Sequence, residues 1–524
     1  MIILLLALSG ISLHYIYGYS GVEASCRAFA TDDAYITFRY AQNFWKGNGI
    51  YFNKGQRVEG YSNFLYLVLM IPGIILCKGS MYFYSTLINT IILFWIMYIF
   101  YKILLIRLPQ DQAFLGPLLI AVSPAIWANV STGLESILVL AVFVYFFYKI
   151  KESEATDKEV SFTAVATVSM LARIDGFLLP LIVSAYLILN KKKKSGIFLA
   201  LYTISFMIIY GIIRIYYYDD IIANTYYAKV SGNLSWRILL GVLYVYFQTI
   251  HNGIFFFSIF TVAMIVINVK KNEKPDLRIR FEFLFPVLWI PYLIYVGGDI
   301  FFERFLLPLL IIGIYSFISY ISEKVRTIQR IALFLAIAIG FSVFIADKRF
   351  AYQEKTYDMW VNLGKFMIDV PKDFVLAIEA AGKVPFYSEL KTIDMLGLNN
   401  KYIGKMKIKD KSFMIGHSKY DADYILSLKP HLISSWIYSS EDMQWGLKKE
   451  KYQAKYKLKY LINVTRINKG TNIYDVESYS KKLIKKLILE KFRYGVLVRK
   501  DSLDAVPSLA TTPQLLSINQ QKKQ

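Results

Sequence analysis

The stretch Thr31 to Asn63, TDDAYITFRYAQNFWKGNGIYFNKGQRVEGYSN, sets the paired acids Asp32 and Asp33 before Arg39 in an island of charge, amide and glycine within a mostly apolar chain. A carboxylate beside an acceptor hydroxyl can take its proton while arginine or lysine steadies a leaving phosphate, so these residue types suit transfer of a group from a phosphate-linked lipid. Arg39, Arg57, Lys229 and Arg304 are the candidate phosphate ligands, and Glu59, Tyr61, Asn63, Asn224, Tyr227 and Asp299 the candidate sugar or acceptor contacts. Either acid can be the base. Asp32 is slightly preferred because its spacing from Arg39, about two turns at 3.6 residues each, puts both on one helix face. Adjacent acids also suit a helix start, so a simple cap is the competing reading.

A short helix must position this pair. Thr31 stands where an N-cap would, and Tyr35, Ile36, Tyr40 and Phe44 carry an amphipathic period. Gly47, Asn48 and Gly49 end the helix, Asn53 to Gly55 read as a turn, and Arg57, Glu59, Tyr61 and Asn63 bring polar groups back. Around the island, the 524 residues are 56% hydrophobic and 16% aromatic, which predicts a polytopic membrane protein. The net charge of +22 comes with no nucleic-acid module, and lysines gather at span ends, so anionic lipid head groups or a lipid phosphate are the expected partners. Cys26 and Cys77 have no metal or redox spacing, no nucleotide-binding glycine fingerprint follows a strand, and the four histidines are scattered, His417 reading as a loop or packing residue. A divalent cation, Mg or Mn, is possible at Asp32, Asp33 or Asp299, since hard cations take carboxylate oxygens.

Residues 1–20 read as a retained first span, and further apolar segments run near 81–106, 113–130, 134–150, 160–172, 177–190, 196–216, 253–270, 281–297, 304–320 and 330–346. Segment 64–76 is short and contains Pro72. If it lies along the outer surface, Lys102, Arg107, Lys191 to Lys194, the 270–280 loop and Lys324 to Arg330 all fall in the cytoplasm. That choice gives about eleven spans, a cytoplasmic N-terminus and an exterior loop at 21–80. It also puts five polar clusters on the outer face: Asp32/Asp33, Ser131 to Glu135, Arg173 to Gly176, Asp219 to Lys229 and Gly297 to Arg304. Ionisable groups in such settings tend to face a cavity, so the clusters are expected to share one cleft.

Residues 1–346 thus form a transmembrane catalytic domain, a mainly α helical bundle, and 347–500 an exterior, periplasmic α/β domain. Strand-like runs in the latter are Val384-Pro-Phe-Tyr, Tyr424-Ile-Leu-Ser-Leu and Tyr474-Asp-Val. Lys481 to Tyr494 is a basic amphipathic helix that either lies on the membrane or packs on its own domain. Residues 501–524 are polar and expected to be disordered.

DDAYITFRYAQN followed by FNKGQRVEGYSNFL resembles the first exterior loop of GT-C membrane glycosyltransferases, and within them the polyprenyl-phosphate-dependent arabinofuranosyltransferases of bacterial cell walls. The SGLE-type turn is similar to Ser131-Thr132-Gly133-Leu134-Glu135 with Thr inserted, RPDG to Arg173-Ile-Asp-Gly176, PNTYYAK to Ala223 through Lys229, and GGD…RFLLP to Gly297, Gly298, Asp299 and Arg304 through Pro308. In the soluble part, 385–400 and 416–430 resemble it too. The resemblance implies the GT-C fold, a polyprenyl-phosphate sugar donor, an inverting transfer to a surface glycan or glycolipid on the exterior face of the cytoplasmic membrane, and a catalytic aspartate in the Asp32/Asp33 pair. A flippase or transporter of lipid-linked glycans is the alternative; it should place charges deep in both halves of the bundle, often with internal repeats, and neither pattern is visible.

Overall fold

Thr31 Oγ1 accepts from Ala34 N at 3.3 Å and opens the helix Asp32–Trp45, as the cap pattern predicts. Its residues Ala34 to Asn43 are all buried, so the helix runs through the protein and packs on every side, where an amphipathic period alone predicts one buried stripe. The computed structural model describes residues 31–508, apart from 78–79, 122, 157–159, 231–232, most of 252–278, 302, 325–357, 409–415, 439, 465–472 and 491–492. The spans expected at 1–20 and 330–346 and most of that at 253–270 lie outside the described residues.

Around this helix stands a helical bundle. Met81–Leu105 and Lys193–Tyr218 are long and apolar enough to cross a membrane, and the pair Gln110–Ala121 and Pro124–Val130, bent by 57°, makes a third span if counted as one. The other apolar helices, among them Phe64–Leu76, Thr163–Ala172, Leu178–Leu189 and Phe281–Val296, are 10–17 residues long. At about 1.5 Å per residue these fall short of a hydrocarbon core of about 30 Å, so the described residues do not reproduce a count of about eleven. One helix, Leu234–His251, falls outside the expected segments; Trp236, Arg237 and Gln248 interrupt its apolar run. Ser136–Thr156 packs against Met81–Leu105, and Leu178–Leu189 against Lys193–Tyr218.

The α/β region is built on a six-stranded sheet of order β2-β1-β3-β6-β4-β5. Its strands are β1 (Val375–Ile378), β2 (Lys391–Asp394), β3 (Leu432–Trp436), β4 (Tyr456–Ile462), β5 (Ile473–Asp475) and β6 (Tyr494–Arg499). β1 pairs parallel with both β2 and β3, while β3/β6, β6/β4 and β4/β5 are antiparallel. Alternate residues enter cores on the two faces: Leu376, Ile378 and Val496 on one, Ala377, Ile433 and Leu497 on the other.

Of the three strand-like runs, only the one at 474 is a strand. Val384 to Tyr387 lies in the helix Lys383–Ser388, and Tyr424 to Ser427 in the helix Ala422–Ser427, which Asp421 caps by accepting from Tyr424 N at 3.0 Å. Strand propensity there yields to caps and tertiary contacts. Lys481–Glu490 is helical, with Leu487 and Ile488 buried in the sheet's core, so this basic helix packs on its own domain. The tail expected to be disordered from 501 starts with the 3₁₀ turn Lys500–Ala505, where Ser502 is buried.

Candidate active site

Backbone hydrogen bonds tie the polar island to three other polar clusters: Thr31 N donates to Thr132 O at 3.1 Å, Ile174 N to Ser62 O at 2.8 Å, and Asn224 N to Glu59 O at 2.9 Å. The fifth cluster joins through Arg304, whose Nη1 lies 3.5 Å from Glu135 Oε1. The five clusters therefore meet in one region.

Asp32 and Arg39 share a helix face, and that face docks the α/β region. Asp32 Oδ1 accepts from Lys383 N at 2.8 Å and Oδ2 from Gly382 N at 2.9 Å. Gly382 is required there, since a Cβ would meet Asp32 O at 1.8 Å. Arg39 Nη1 donates to Pro385 O at 2.9 Å, Nη2 to Glu389 O at 3.1 Å and Leu390 O at 3.3 Å, and Nε to Phe52 O at 3.4 Å. A carboxylate thus holds the N-terminus of Lys383–Ser388 and a guanidinium its C-terminal carbonyls, the arrangement the helix dipole favours. Burial raises the Asp32 carboxyl to about 6, against the amide and charge of Lys383. Burial lowers Arg39 to about 10, still a cation at neutral pH. Arg39 is therefore a docking residue; its donors are taken by carbonyls, which removes it from the expected phosphate ligands.

Most of the second set of expected residues also holds structure. Arg57 pairs with Asp219 at 3.0 Å in an exposed salt bridge. Glu59 is buried against Arg214 at 2.9 Å, and burial lifts its carboxyl to about 7 in spite of that partner. The Tyr61 and Tyr218 hydroxyls lie 3.1 Å apart. Asn63 accepts from Thr37 Oγ1 at 3.1 Å and donates to Glu135 Oε2 at 2.8 Å. Asn224 Nδ2 donates to Gly397 O at 2.7 Å and Leu398 O at 3.0 Å, a further tether to the α/β region, and Tyr227 OH donates to Asp220 Oδ1 at 3.1 Å. None of these seven residues, Arg39 included, lines the two large cavities.

Asp32, Asp33, Lys229, Asp299 and Arg304 do line them. One cavity, of about 840 Å³, has Arg173, Lys229, Asp299 and Arg304 at its polar end and Ile204, Ile208, Ile212 and Ile215 of the Lys193–Tyr218 helix along its apolar wall. The other, of about 860 Å³, lies between Asp32, Asp33 and the α/β region. Lys229 borders both, and its Nζ is 3.0 Å from Asp33 Oδ2. Arg304 pairs with Asp299 through Nε. Arg173 bridges Glu135 at 3.2 Å and Asp175 at 2.7 Å, with its guanidinium 4.3 Å from the Phe305 ring centre. Burial alone would raise Asp299, but Arg304 and Lys229 hold its carboxyl below the usual range. Arg173 and Arg214 were not among the expected ligands, although Arg214, a lone charge near the end of an apolar helix, carried a usable signal.

The three carboxylates expected as metal ligands do not converge. Asp32 is bound to amides, Asp33 to Lys229 and Asp299 to Arg304, and no group of three or more His, Cys, Asp or Glu among the described residues is placed to hold an ion.

Residues 347–479 match the family described as a domain of unknown function (DUF8728). No curated protein matches the chain. Among solved structures, ArnT from Cupriavidus metallidurans bound to undecaprenyl phosphate is similar, with a TM-score of 0.53 at 10% identity over 96% of this chain and 99% of that one. The apo oligosaccharyltransferase of Archaeoglobus fulgidus is similar with a TM-score of 0.54 at 11% identity, over 89% of this chain and 74% of that one. At such identities the likeness is one of fold alone.

Proposed function

We propose that this chain is a multi-pass glycosyltransferase of the cytoplasmic membrane that moves a sugar, with inversion, from a polyprenyl-phosphate donor to a surface glycan or glycolipid on the exterior face. The observation that carries the reading is the meeting of two cavities at the Lys229–Asp33 pair. The cavity with an apolar wall suits a polyprenyl chain, since Ile208 and Ile212 are 58% and 60% exposed on a helix long enough to span, and its cationic end suits the phosphate. The similar ArnT structure has undecaprenyl phosphate bound, which is consistent with this choice. The arabinofuranosyltransferase-like motifs suggest a cell-envelope acceptor, with residues 1–346 as catalytic domain and 347–500 as exterior domain.

In this reading the donor phosphate draws Lys229 from Asp33 and takes Arg304 and Arg173 as further partners. Asp33 is then the base: both oxygens of Asp32 are committed to backbone amides, and its preference over Asp33 rested on an Arg39 that docks a domain. The acceptor oxygen forms a bond to the anomeric carbon while the bond from that carbon to the phosphate oxygen breaks. The acceptor proton passes to Asp33, and polyprenyl phosphate leaves with its charge met by Lys229 and Arg304.

The test is transfer from a polyprenyl-phosphate sugar by purified protein. Asp33→Asn should retain donor binding and lose about two or more orders of magnitude in rate. Lys229→Ala should raise the donor KM, leaving the fold intact because the side chain is 25% exposed. Wild-type transfer by both variants would remove the proposal. Reporter fusions at Lys192 and at Asp358 should report cytoplasm and exterior respectively, and the reverse pattern would put the site on the wrong side.

A further inference from the structure

Lys229, which borders both cavities, is carried by the short helix Asn224–Val230, and the α/β region grips that helix at both ends. At its start the Asn224 side chain bonds Gly397 O and Leu398 O. In its last turn Lys419 Nζ donates to Tyr227 O at 2.8 Å, and the same ammonium donates at 2.6 Å to Gly404 O of the helix Lys401–Lys405. Tyr227 O is one of the last four carbonyls of its helix, which lack partners within a helix and favour a cation beside them. One ammonium therefore ties the ends of two helices, one from each region of the protein.

Lys419 is 1% exposed, and a lysine buried without a counter-ion is both rare and costly. The charges around it are matched elsewhere, Lys405 with Asp220 and Lys229 with Asp33. Burial lowers the Lys419 ammonium to about 8, with no neighbouring acid to oppose the fall, and it remains a cation at neutral pH. Two backbone carbonyls are thus what this charge is buried to meet. The chain just before it touches Lys229 itself. Gly416, in the left-handed region at φ +83°, lies along the Lys229 stem, where a Cβ would come within 3.5 Å of Cγ and 3.8 Å of Cε. Residues 416–419 therefore bound the Lys229 side chain and hold the backbone two residues before it.

We infer that Lys419 is a positioning residue for the donor site: it holds the helix Asn224–Val230 at the place and rotation that present Lys229 where the two cavities meet. The inference rests on the transferase reading for the phosphate that Lys229 meets. Lys419 itself lines neither cavity, so it acts through the helix and not on substrate. An ammonium suits the task because its three donors reach carbonyls of two separate helices at once, whereas an apolar side chain of the same length would fill the space without directing either helix. A displaced Lys229 matters twice, since the donor phosphate has to draw it from Asp33, 3.0 Å away, while Asp33 stays aimed at the acceptor.

The test titrates undecaprenyl phosphate into the full chain in detergent, read by native mass spectrometry, for wild type, Lys229→Ala, Lys419→Met and the double variant. Lys229→Ala should weaken binding about tenfold, and Lys419→Met, which keeps the stem and removes the ammonium, about threefold or more. In the Lys229→Ala background Lys419→Met should add nothing, because the group it displaces is already gone. Amide hydrogen exchange of the 224–230 segment should quicken in Lys419→Met while the sheet stays protected. Unchanged binding by Lys419→Met, or equal weakening with and without Lys229, overturns the positioning role. Should Lys419→Met melt below the assay temperature, Lys419→Gln, which leaves N–H donors in place, carries the same comparison at smaller amplitude. Wild-type binding by Lys229→Ala fails the transferase reading instead, and the positioning of the helix then stands if exchange at 224–230 quickens in Lys419→Met and falls if it does not.

Discussion

Replacing Arg39 by Met separates a docking arginine from a phosphate ligand. Met keeps much of the stem's length and removes the donors to Pro385 O at 2.9 Å, Glu389 O at 3.1 Å, Leu390 O at 3.3 Å and Phe52 O at 3.4 Å. A hydrogen bond from a charged group contributes about 1.5–3 kcal/mol, and the bonds of one guanidinium are not additive. Counting the two shorter bonds in full gives a loss of about 3–6 kcal/mol, concentrated at the contact between Asp32–Trp45 and the α/β region. The assay is thermal unfolding of the full chain in detergent, combined with limited proteolysis of the 359–400 segment and donor KM measured well below the transition. A lower Tm and faster cleavage with an unchanged donor KM are expected. An unchanged Tm and cleavage pattern with a raised donor KM would refute the docking role and return Arg39 to the phosphate.

Asp32 has a folded pKa of about 6, above its ordinary 3.8, so the folded state holds the extra proton between these values and this contribution to stability, present below pH 4, is lost as pH rises to 6. Asp32→Asn should remove that part of the slope, read as the difference between wild-type and variant Tm from pH 4 to 7. Arg57→Ala should change stability by about 0–1 kcal/mol and leave donor KM unaltered, because its bridge to Asp219 is exposed. Leu487→Ala should cost about 2–5 kcal/mol in the α/β region, read as a lower Tm of the full chain, because that side chain is 4% exposed within the sheet's core. A wild-type Tm would take the helix out of that core.

Much of the candidate site was legible in the residues themselves. The Thr31 cap, the Asp32–Trp45 helix and the common face of Asp32 and Arg39 follow from local spacing, which fixes angular position on a helix whatever surrounds it. The meeting of the five clusters followed from charge patterning, because a bundle with costly buried charges gathers them at one end. What that common face touches was decided only by tertiary structure. Spacing cannot say whether a guanidinium meets a phosphate or a carbonyl, and here the carbonyls of Pro385, Glu389 and Leu390, 346 to 351 residues away, take it. The same long-range contact turns the β-prone Val384 to Tyr387 into a helix, since pinned termini outweigh a propensity worth less than about 1 kcal/mol per residue. Lys419 gave no signal at all, because lysine is ordinarily a surface residue, and the carbonyls that meet its buried ammonium, those of Tyr227 and Gly404, lie 192 and 15 residues away and carry no side-chain identity in the chain.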